Sequence, residues 1–268
     1  MDENRDIFFE RDLSSLGTEK TGGQLAHMYC TGGSCEMDFN NSTFVISKGD
    51  CAIVRATQLI TAVRPSPDFS VMILYASPVF IEKATPNNNY GIRGSLSLFQ
   101  DPVMHLNEQE QIDCERDFFA MERRLSETNH NFYGEVLLAV MQVLILDFFH
   151  FHVRIHGKDE VPSQSSSIMG RFIAMLDRGD YRQNREVSYY ASELCVAPKY
   201  LSEVSKSVSG FSASWWINRF TFLDIYRKLR DRSLDFNVIA DQFNFSSPAY
   251  FSRYVQRYLG ASPTEYRG

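Results

Sequence analysis

The sequence predicts an α+β protein with two domains, and three observations carry this prediction. Residues 24–80 contain short apolar runs separated by turn residues, whereas residues from about 107 onward show helical periodicity. A segment with Gly, Pro and four Ser residues interrupts the helices at 156–167. We therefore expect an N-terminal domain at 1–155, a linker at 156–167 and an all-α domain at 168–268.

The N-terminal domain begins with strands. Three runs are rich in β-branched and aromatic residues, namely Phe44–Ile46, Ala52–Val54 and Val71–Tyr75, and turn signals such as Gly32-Gly33 lie between such runs. Closely spaced short strands with tight turns are typical of an antiparallel sandwich or barrel. We predict an antiparallel β-barrel that is followed by two helices.

The first of these helices is predicted to start after Asn107, which suits an N-cap. The second, at about 131–151, is apolar nearly all round and must be covered on several sides. Its longest apolar run, Val136–Phe149, holds two polar residues and is short for a bilayer, so we expect a buried helix. We predict a homodimer through residues 108–151, with packing inside one subunit as the alternative.

Cysteine and histidine patterns predict neither a metal nor a cofactor. The five cysteines are scattered, and Cys30 and Cys35 lack the spacing of a zinc site or a redox pair, so we expect reduced thiols. His27 is the only histidine in the strand region, where a metal would need clustered His and Glu. Three further histidines fall at the end of the second helix, where we expect capping or plain exposure: His150, His152 and His156.

The sequence predicts a cytoplasmic protein that is not an enzyme. No nucleophile stands beside a base and no Gly-rich phosphate loop occurs, while the charged N-terminus lacks the apolar core of a secretory signal. The net charge of −6 is uneven. Residues 160–268 carry 14 Lys and Arg against 11 Asp and Glu, a net +3, and residues 1–159 carry 13 against 22, a net −9. Such asymmetry fits an acidic regulatory part joined to a part that meets nucleic acid.

Residues 187–210 predict two helices joined by a tight turn. The first helix turns Tyr190, Ala191 and Leu194 inward, and the small Ala191 suits the close approach of two steeply crossed helices. Pro198 suits the first position of the second helix and Gly210 its end. This is the pattern of a helix-turn-helix unit, whose second helix enters the major groove of DNA.

The same logic recurs in the last forty residues. Ile239, Ala240 and Phe243 mark a helix, Asn244 tolerates the left-handed conformation of the turn, and Ser247-Pro248 starts another helix. We expect that last helix to bury Phe251 and Val255 and to expose three residues: Arg253, Tyr254 and Arg257. Between the two units, a long helix at about 215–230 would space them rigidly.

These residues resemble the signature of AraC/XylS-type transcription activators over about the last hundred positions. The resemblance rests on Tyr250-Phe251-Ser252-Arg253 and on the ending Gly260-Ala261-Ser262-Pro263-Thr264-Glu265-Tyr266-Arg267. In the first unit it rests on six matched positions, namely Ala191, Pro198, Leu201, Ser202, Gly210 and Arg219.

The resemblance implies which residues meet DNA. Base-facing positions would be Lys199, Ser202 and Glu203 in the first unit and Pro248, Ala249 and Arg253 in the second. Phosphate contacts would come from Lys206, Ser252 and Arg257.

Five positions depart from the family pattern. Asn244 stands where Gly is usual, and Ala197 replaces a Ser N-cap, which costs about 1 kcal/mol. Glu203 stands where Arg is frequent and would either accept from a cytosine amino group or weaken binding near phosphates. Pro248, with Ala249, cannot hydrogen-bond to bases through its side chain, so the second unit should read thymine methyl groups and shape.

The N-terminal half resembles, more loosely, the cupin-like sensor domain of such regulators through the stretch Phe44–Val54. The resemblance implies a regulator, expected to be an activator that contacts RNA polymerase and is controlled by a small molecule. Control by a protein partner is the alternative. Tyr29, Arg64 and Tyr75 are candidates for an effector pocket, or else belong to the core or its rim.

Overall fold

The structure, a computed structural model, describes residues 6–21, 23–39, 42–55, 57, 60–86, 96–98, 101–157 and 163–267. Two compact units divide the chain, Met1–Glu160 and Val161–Gly268. The first combines sheets with helices and the second is helical, so the expected mixed α+β class is confirmed.

The strands of the first unit form two antiparallel sheets. Within the described residues these strands are β1 (Ile7–Glu10), β2 (Leu25–Gly32), β3 (Ser34–Phe39), β4 (Ser42–Ser47), β5 (Cys51–Val54), β6 (Ile60–Pro65), β7 (Ser70–Ala76) and β8 (Val103–Met104). One sheet has the order β1-β7-β2-β5-β8 and the other β4-β3-β6.

The predicted closed barrel is not formed by the described strands. The outer strands β1 and β8 of one sheet, and β4 and β6 of the other, each pair with a single neighbour in this part of the chain. The chain passes between the sheets at Gly33, whose φ is +62°. A Cβ there would lie 2.5 Å from Oγ of Ser66 and 2.7 Å from the backbone nitrogen of Phe69, so glycine is required. The corner redirects the strand from one sheet to the other instead of extending a single sheet.

A short 3₁₀ helix at Glu19–Thr21 and three α-helices complete the described part of this unit: α1 (Pro78–Ala84), α2 (Glu108–Ser126) and α3 (Tyr133–His156). The predicted cap at Asn107 is confirmed. Its side chain accepts from the Glu110 backbone N–H at 3.0 Å, and the Glu110 carboxylate accepts from the Asn107 backbone N–H at 2.9 Å. This capping box satisfies two backbone donors at the start of α2.

Helix α3 is the core helix of the N-terminal unit. By length and composition it is the one helix among the described residues that is apolar enough to cross a membrane. One side of it is instead buried against the five-stranded sheet and α2, through Met141, Leu144 and Phe148. It also extends past its predicted end near Phe151, because Phe151 and His152 are both buried.

The second unit consists of short helices in its described residues. They are α4 (Ser163–Arg178), α5 (Val187–Glu193), α6 (Pro198–Ser209), α7 (Ala213–Arg230), α8 (Phe236–Gln242), α9 (Pro248–Leu259) and α10 (Pro263–Arg267). Large side chains of four of them are fully buried, namely Phe172, Tyr190, Trp216 and Phe251. The long spacer helix predicted at about 215–230 is present as α7.

The predicted linker at 156–167 needs correction. Its last five residues are helical, because α4 begins at Ser163. Ser166 is 4% exposed and stands beside the buried Ile168 and Met169, so packing of this face stabilises a helix that the Ser-rich sequence does not favour. Residues 158–162 lie outside the described part of the chain.

Candidate nucleic-acid interface

The first helix-turn-helix unit consists of α5 and α6. Ala191 is completely buried at the contact between them, as its size predicts. The turn depends on Cys195, whose φ is +56°, and the backbone N–H of Val196 donates to the carbonyl of Ala191 at 2.9 Å. The left-handed residue of this turn was not predicted, since Cys is not a residue type that indicates this conformation.

The second unit, α8 and α9, repeats this geometry. Asn244 has φ +49°, which confirms its predicted left-handed conformation, and the backbone N–H of Phe245 donates to the carbonyl of Ala240 at 3.0 Å. The predicted N-cap is also confirmed, because the Ser247 hydroxyl accepts from the backbone N–H of Tyr250 at 3.2 Å. Ala197, at the matching position of α6, provides no side-chain cap.

The outer face of α6 carries polar side chains that remain available. Lys199, Glu203 and Lys206 are exposed, and Ser202 is half-buried. The Lys199 Nζ atom lies 3.9 Å from Oε1 of Glu203, and their side chains are 89% and 62% exposed. An ion pair this exposed contributes little to stability, so both groups are free to meet a ligand.

The outer face of α9 is less polar. Pro248, Ala249, Arg253 and Arg257 are exposed, and Ser252 is half-buried. Within the described part of the chain, Arg253 makes no hydrogen bond or ion pair, whereas the Arg257 guanidinium lies 5.7 Å from the centre of the Tyr258 ring.

Tyr254 was predicted to be exposed, and the structure shows the opposite. It is 8% exposed, and its hydroxyl donates to Oδ1 of Asn218 on α7 at 3.0 Å. Desolvation accordingly raises the pKa of its phenol well above the usual range. The prediction failed because the apolar stripe of α9 is wider than Phe251 and Val255 and includes Tyr254.

Two features of this interface were missed by sequence reasoning. Tyr200 and Tyr250 occupy matching places in the first turns of α6 and α9 and are 38% and 44% exposed. The sequence contains the information needed to predict this pair, since Tyr200 and Tyr250 coincide when the two recognition helices are aligned at a spacing of fifty residues. Arg185 is the second feature, and it connects the two units.

Arg185 lies before α5 and reaches the turn of the second unit. Its guanidinium donates to the carbonyl of Phe243 and, at 3.1 Å, to that of Asn244, and it lies 4.2 Å from the centre of the Phe245 ring. Asn244 returns a hydrogen bond through Nδ2 to the carbonyl of Gln183 at 3.2 Å. These contacts hold the turn of one unit against the entry of the other.

The three residues proposed for an effector pocket are not brought together. Tyr29 lies opposite Met72 on β7, and Tyr75 lies opposite Ala26 on β2, so the alternation of the strands directs the two tyrosines to opposite sheet faces. Tyr29 packs near Phe118, whereas Arg64 is half exposed and ion-paired. Its guanidinium bonds to Asp38 and Glu36 at 2.7–3.0 Å.

One of the three histidines near the end of α3, His152, differs from expectation. His152 is 5% exposed and hydrogen-bonds through Nε2 to the Ser97 hydroxyl, because this face of α3 is turned into the core. Its ring centre lies 4.2 Å from that of His156, whereas His150 and His156 are exposed. In the described residues, no group of three His, Cys, Asp or Glu side chains is arranged to hold a metal.

Comparisons with known proteins agree with the two-unit geometry. A family model described as a helix-turn-helix domain matches residues 190–268. No curated protein sequence matches the chain. The family match starts within α5 and covers the remainder of both helix-turn-helix units.

Three solved structures are similar to the chain at low identity. ToxT from Vibrio cholerae is 14% identical with a TM-score of 0.49, over 98% of this chain and 93% of ToxT. A DNA-binding transcriptional dual regulator from Escherichia coli K-12 is 18% identical with a TM-score of 0.32, over 40% of this chain and 97% of that one. The AraC-like transcriptional activator CuxR is 11% identical with a TM-score of 0.37, over 83% of this chain and 74% of CuxR.

Proposed function

Residues 190–268 form an AraC-type helix-turn-helix domain, and from this premise we propose that α6 and α9 enter successive major-groove segments on one face of a DNA duplex. The chain is a DNA-binding transcription regulator and not an enzyme. The observation that carries the proposal is the repeated unit itself, in which each second helix leaves its outer side chains exposed.

We assign the base contacts to three residues of each recognition helix, namely Lys199, Ser202 and Glu203 in α6 and Pro248, Ala249 and Arg253 in α9. Phosphate contacts are assigned to Lys206, Ser252 and Arg257. Seven of these nine side chains are exposed and two are half-buried, which supports the assignment. The first unit therefore carries more of the direct readout, and Arg253 is the main polar reader of the second.

Arg253→Ala tests this assignment. We expect a loss of about 10- to 100-fold in affinity for the protein's own promoter region in a gel shift at fixed salt, because an arginine–guanine contact is worth roughly 1–3 kcal/mol. Arg171→Ala is the matched control, since Arg171 is an exposed arginine on α4 outside both recognition helices. Unchanged affinity and sequence preference in Arg253→Ala would remove α9 from the interface.

The proposed homodimer uses the outer face of α3, within residues 108–151. Val136, Ala139, Val143, Leu146 and His150 are spaced by three and four residues in turn, which is the pattern of a two-helix seam. Val143 and Leu146 are 49% and 45% exposed. We propose that this face packs against the same face of α3 in a second copy of the chain.

Leu146→Glu should convert the dimer to a monomer in sedimentation experiments, because it places a charge in the seam. Val79→Glu, at an exposed valine of α1, is the control and should leave the dimer intact. A wild-type chain that sediments as a monomer at micromolar concentration contradicts the proposal.

We further propose that the protein is a cytoplasmic activator that contacts RNA polymerase and is controlled by a small molecule at the N-terminal unit. The acidic, separately folded first unit supports a regulatory role. A promoter–reporter assay tests activation, and a thermal-shift screen against metabolites tests control. Silence throughout the screen favours the alternative, a protein partner of the N-terminal unit.

A further inference from the structure

A cavity of about 90 Å³ lies within the N-terminal unit, between the five-stranded sheet and the helices α1 and α3. Its wall is mostly apolar and includes Ile53 and Met104 from the sheet, Ile81 from α1, and Ile145 and Phe148 from α3. It lies on the helix-covered face of the sheet, which is the face opposite to Tyr75.

His27 on β2 is the distinctive polar group of this wall. It is 3% exposed, and its ring lies parallel to that of Phe148, with the ring centres 5.8 Å apart. Nδ1 lies 3.4 Å from the carbonyl oxygen of Leu74, which only accepts, so Nδ1 carries the proton. Burial lowers the pKa of His27 to about 4, so the ring is neutral near pH 7 and Nε2 keeps its lone pair.

The Nε2 atom of His27 has no partner among the described residues, whereas the other nitrogen-bearing side chains of the wall do. His152 bonds to the Ser97 hydroxyl, and Arg55 is engaged in an interaction within the chain. Nε2 is not among the fully buried atoms that lack a partner, so it is accessible from the cavity, and a ligand with a donor would gain a hydrogen bond there.

We propose that this cavity binds a small, neutral, largely apolar molecule with one ring and one hydrogen-bond donor, of the phenol type. The donor would bond to Nε2 of His27, and the ring would lie against Phe148 and Ile145. An apolar cavity of about 150 Å³ accepts benzene. The cavity here is smaller, so a single ring would fit with part of it in the opening, and a long chain would not fit. As an effector, the ligand would deepen the control proposed above, although its binding does not require DNA.

Calorimetric titration of the full-length protein tests the ligand class with three matched probes. Phenol should bind saturably, and about tenfold more tightly than toluene, which has the same size but no donor. Benzoate should bind more weakly than phenol, because its carboxylate lacks a donor and is costly to bury. Equal affinity for phenol and toluene, tighter binding of benzoate, or no binding at all would overturn the proposal.

Variants locate the site. Ile81→Phe should abolish phenol binding by filling the cavity, whereas Val79→Phe, two residues away on the exposed side of α1, should preserve it. His27→Leu should make phenol and toluene bind equally. Where a variant fails to fold, cross-relaxation in NMR between phenol and Phe148 of the wild-type protein decides, and its absence under saturating phenol contradicts the site.

A gel shift on the same preparation separates this proposal from the proposed function. DNA binding without phenol binding would contradict only the proposed cavity site. Phenol binding without DNA binding would contradict only the proposed DNA interface.

Discussion

Lys199 and Glu203 form a donor–acceptor pair one helical turn apart on the outer face of α6, 3.9 Å from each other. In the major groove, a C·G pair presents a cytosine amino donor beside the guanine N7 and O6 acceptors. The carboxylate accepts and the ammonium donates, so the two side chains complement one such base pair. This favours the reading in which Glu203 contacts a base over the one in which it only repels phosphates.

Glu203→Gln separates these two readings. We expect the variant to lose preference at one base pair, by about 10-fold, because the amide weakens acceptance from cytosine. Affinity for unrelated DNA should rise a few-fold at low salt, since a negative charge near phosphates is removed. Selection from a random duplex library measures the first effect and a gel shift the second.

Glu193→Gln is the control, because Glu193 is exposed on α5 and outside the recognition helices. A Glu203→Gln variant that selects the same sequences as the wild type, with only the general gain, would show that Glu203 reads no base.

Arg185→Ala should destabilise the second helix-turn-helix unit, α8 and α9, by about 1–3 kcal/mol. The substitution leaves the carbonyls of Phe243 and Asn244 without their donor and removes the cation from the Phe245 ring. Urea unfolding measures the change. Arg253→Ala, which removes an exposed arginine without partners in the described chain, should leave the midpoint unchanged, and equal effects of both variants would contradict the role of Arg185.

Two neighbouring carboxyl groups lie between helices α2 and α3, and the sequence pattern does not reveal them. Asp117 on α2 is 5% exposed and has Asp147 on α3 as a neighbour. Burial, and then the neighbouring Asp147, raise the pKa of Asp117 to about 7, with the nearby Arg116 opposing the shift. Asp117 therefore holds a proton up to about pH 7 at the contact of two helices that also form the proposed dimer region.

The N-terminal unit should lose stability as the pH rises from about 4 to about 7. Over this range the folded state holds a proton at Asp117 that the unfolded chain releases at the ordinary value of 3.8. The contribution is therefore complete below pH 4 and lost as the pH passes the folded value. Asp117→Asn should raise the Tm at pH 8 by about 2–4 °C, the effect of 1 kcal/mol in such a domain, and by less at pH 5.

Asp113→Asn is the matched control, since Asp113 lies one turn earlier on α2 and is more exposed. It should give no comparable gain in thermal-unfolding scans at the two pH values. A gain for Asp117→Asn that is the same at pH 5 and pH 8 would show that its origin is packing and not ionisation.

Sequence reasoning predicted elements well where local signals and tertiary packing agree. Asn107 and Ser247 are residue types that favour helix N-caps, and both cap a helix in the structure. Pro248 favours the first position of a helix, and α9 begins there. It failed where packing decides: Ser163–Ser167 became helix through burial, and Tyr254 turned inward to reach Asn218. The pairing of Arg185 with Asn244 joins positions 59 residues apart, which a single sequence cannot connect.

For the whole molecule, the weak positive charge of residues 160–268 limits the electrostatic attraction to DNA. With about four cations facing the duplex, the logarithm of the binding constant should fall with the logarithm of salt at a slope near −3 to −4 per protomer. The affinity should then drop on the order of 100-fold between 50 and 200 mM salt. Lys206→Ala should reduce the slope by about 1, and Arg171→Ala should not, as measured by fluorescence anisotropy.

The same uneven charge was readable from the sequence, as was the division into a strand-rich half and a helical half. The division of the described strands into two open sheets was not predicted, because the redirection of the chain at Gly33 depends on the close approach of Ser66 and Phe69 from a distant strand connection. Likewise, Tyr29, Arg64 and Tyr75 were chosen for an effector pocket because their side chains can hydrogen-bond. The structure does not place them on one sheet face. The composition of the N-terminal half predicted a strand-rich domain. Which side chains face its cavity depends on the register of the strands, which only the structure shows.

Cys195 and Asn244 each supply the left-handed residue of a turn, and the turn after Asn244 is one residue longer. The two recognition helices that follow align residue for residue at a spacing of fifty, so they are equivalent frames that carry different outer side chains. An engineer could transplant the outer residues of α9 onto the frame of α6 without altering either buried face. Such a chimera should select an operator that repeats one half-site in tandem, with both copies in the same orientation.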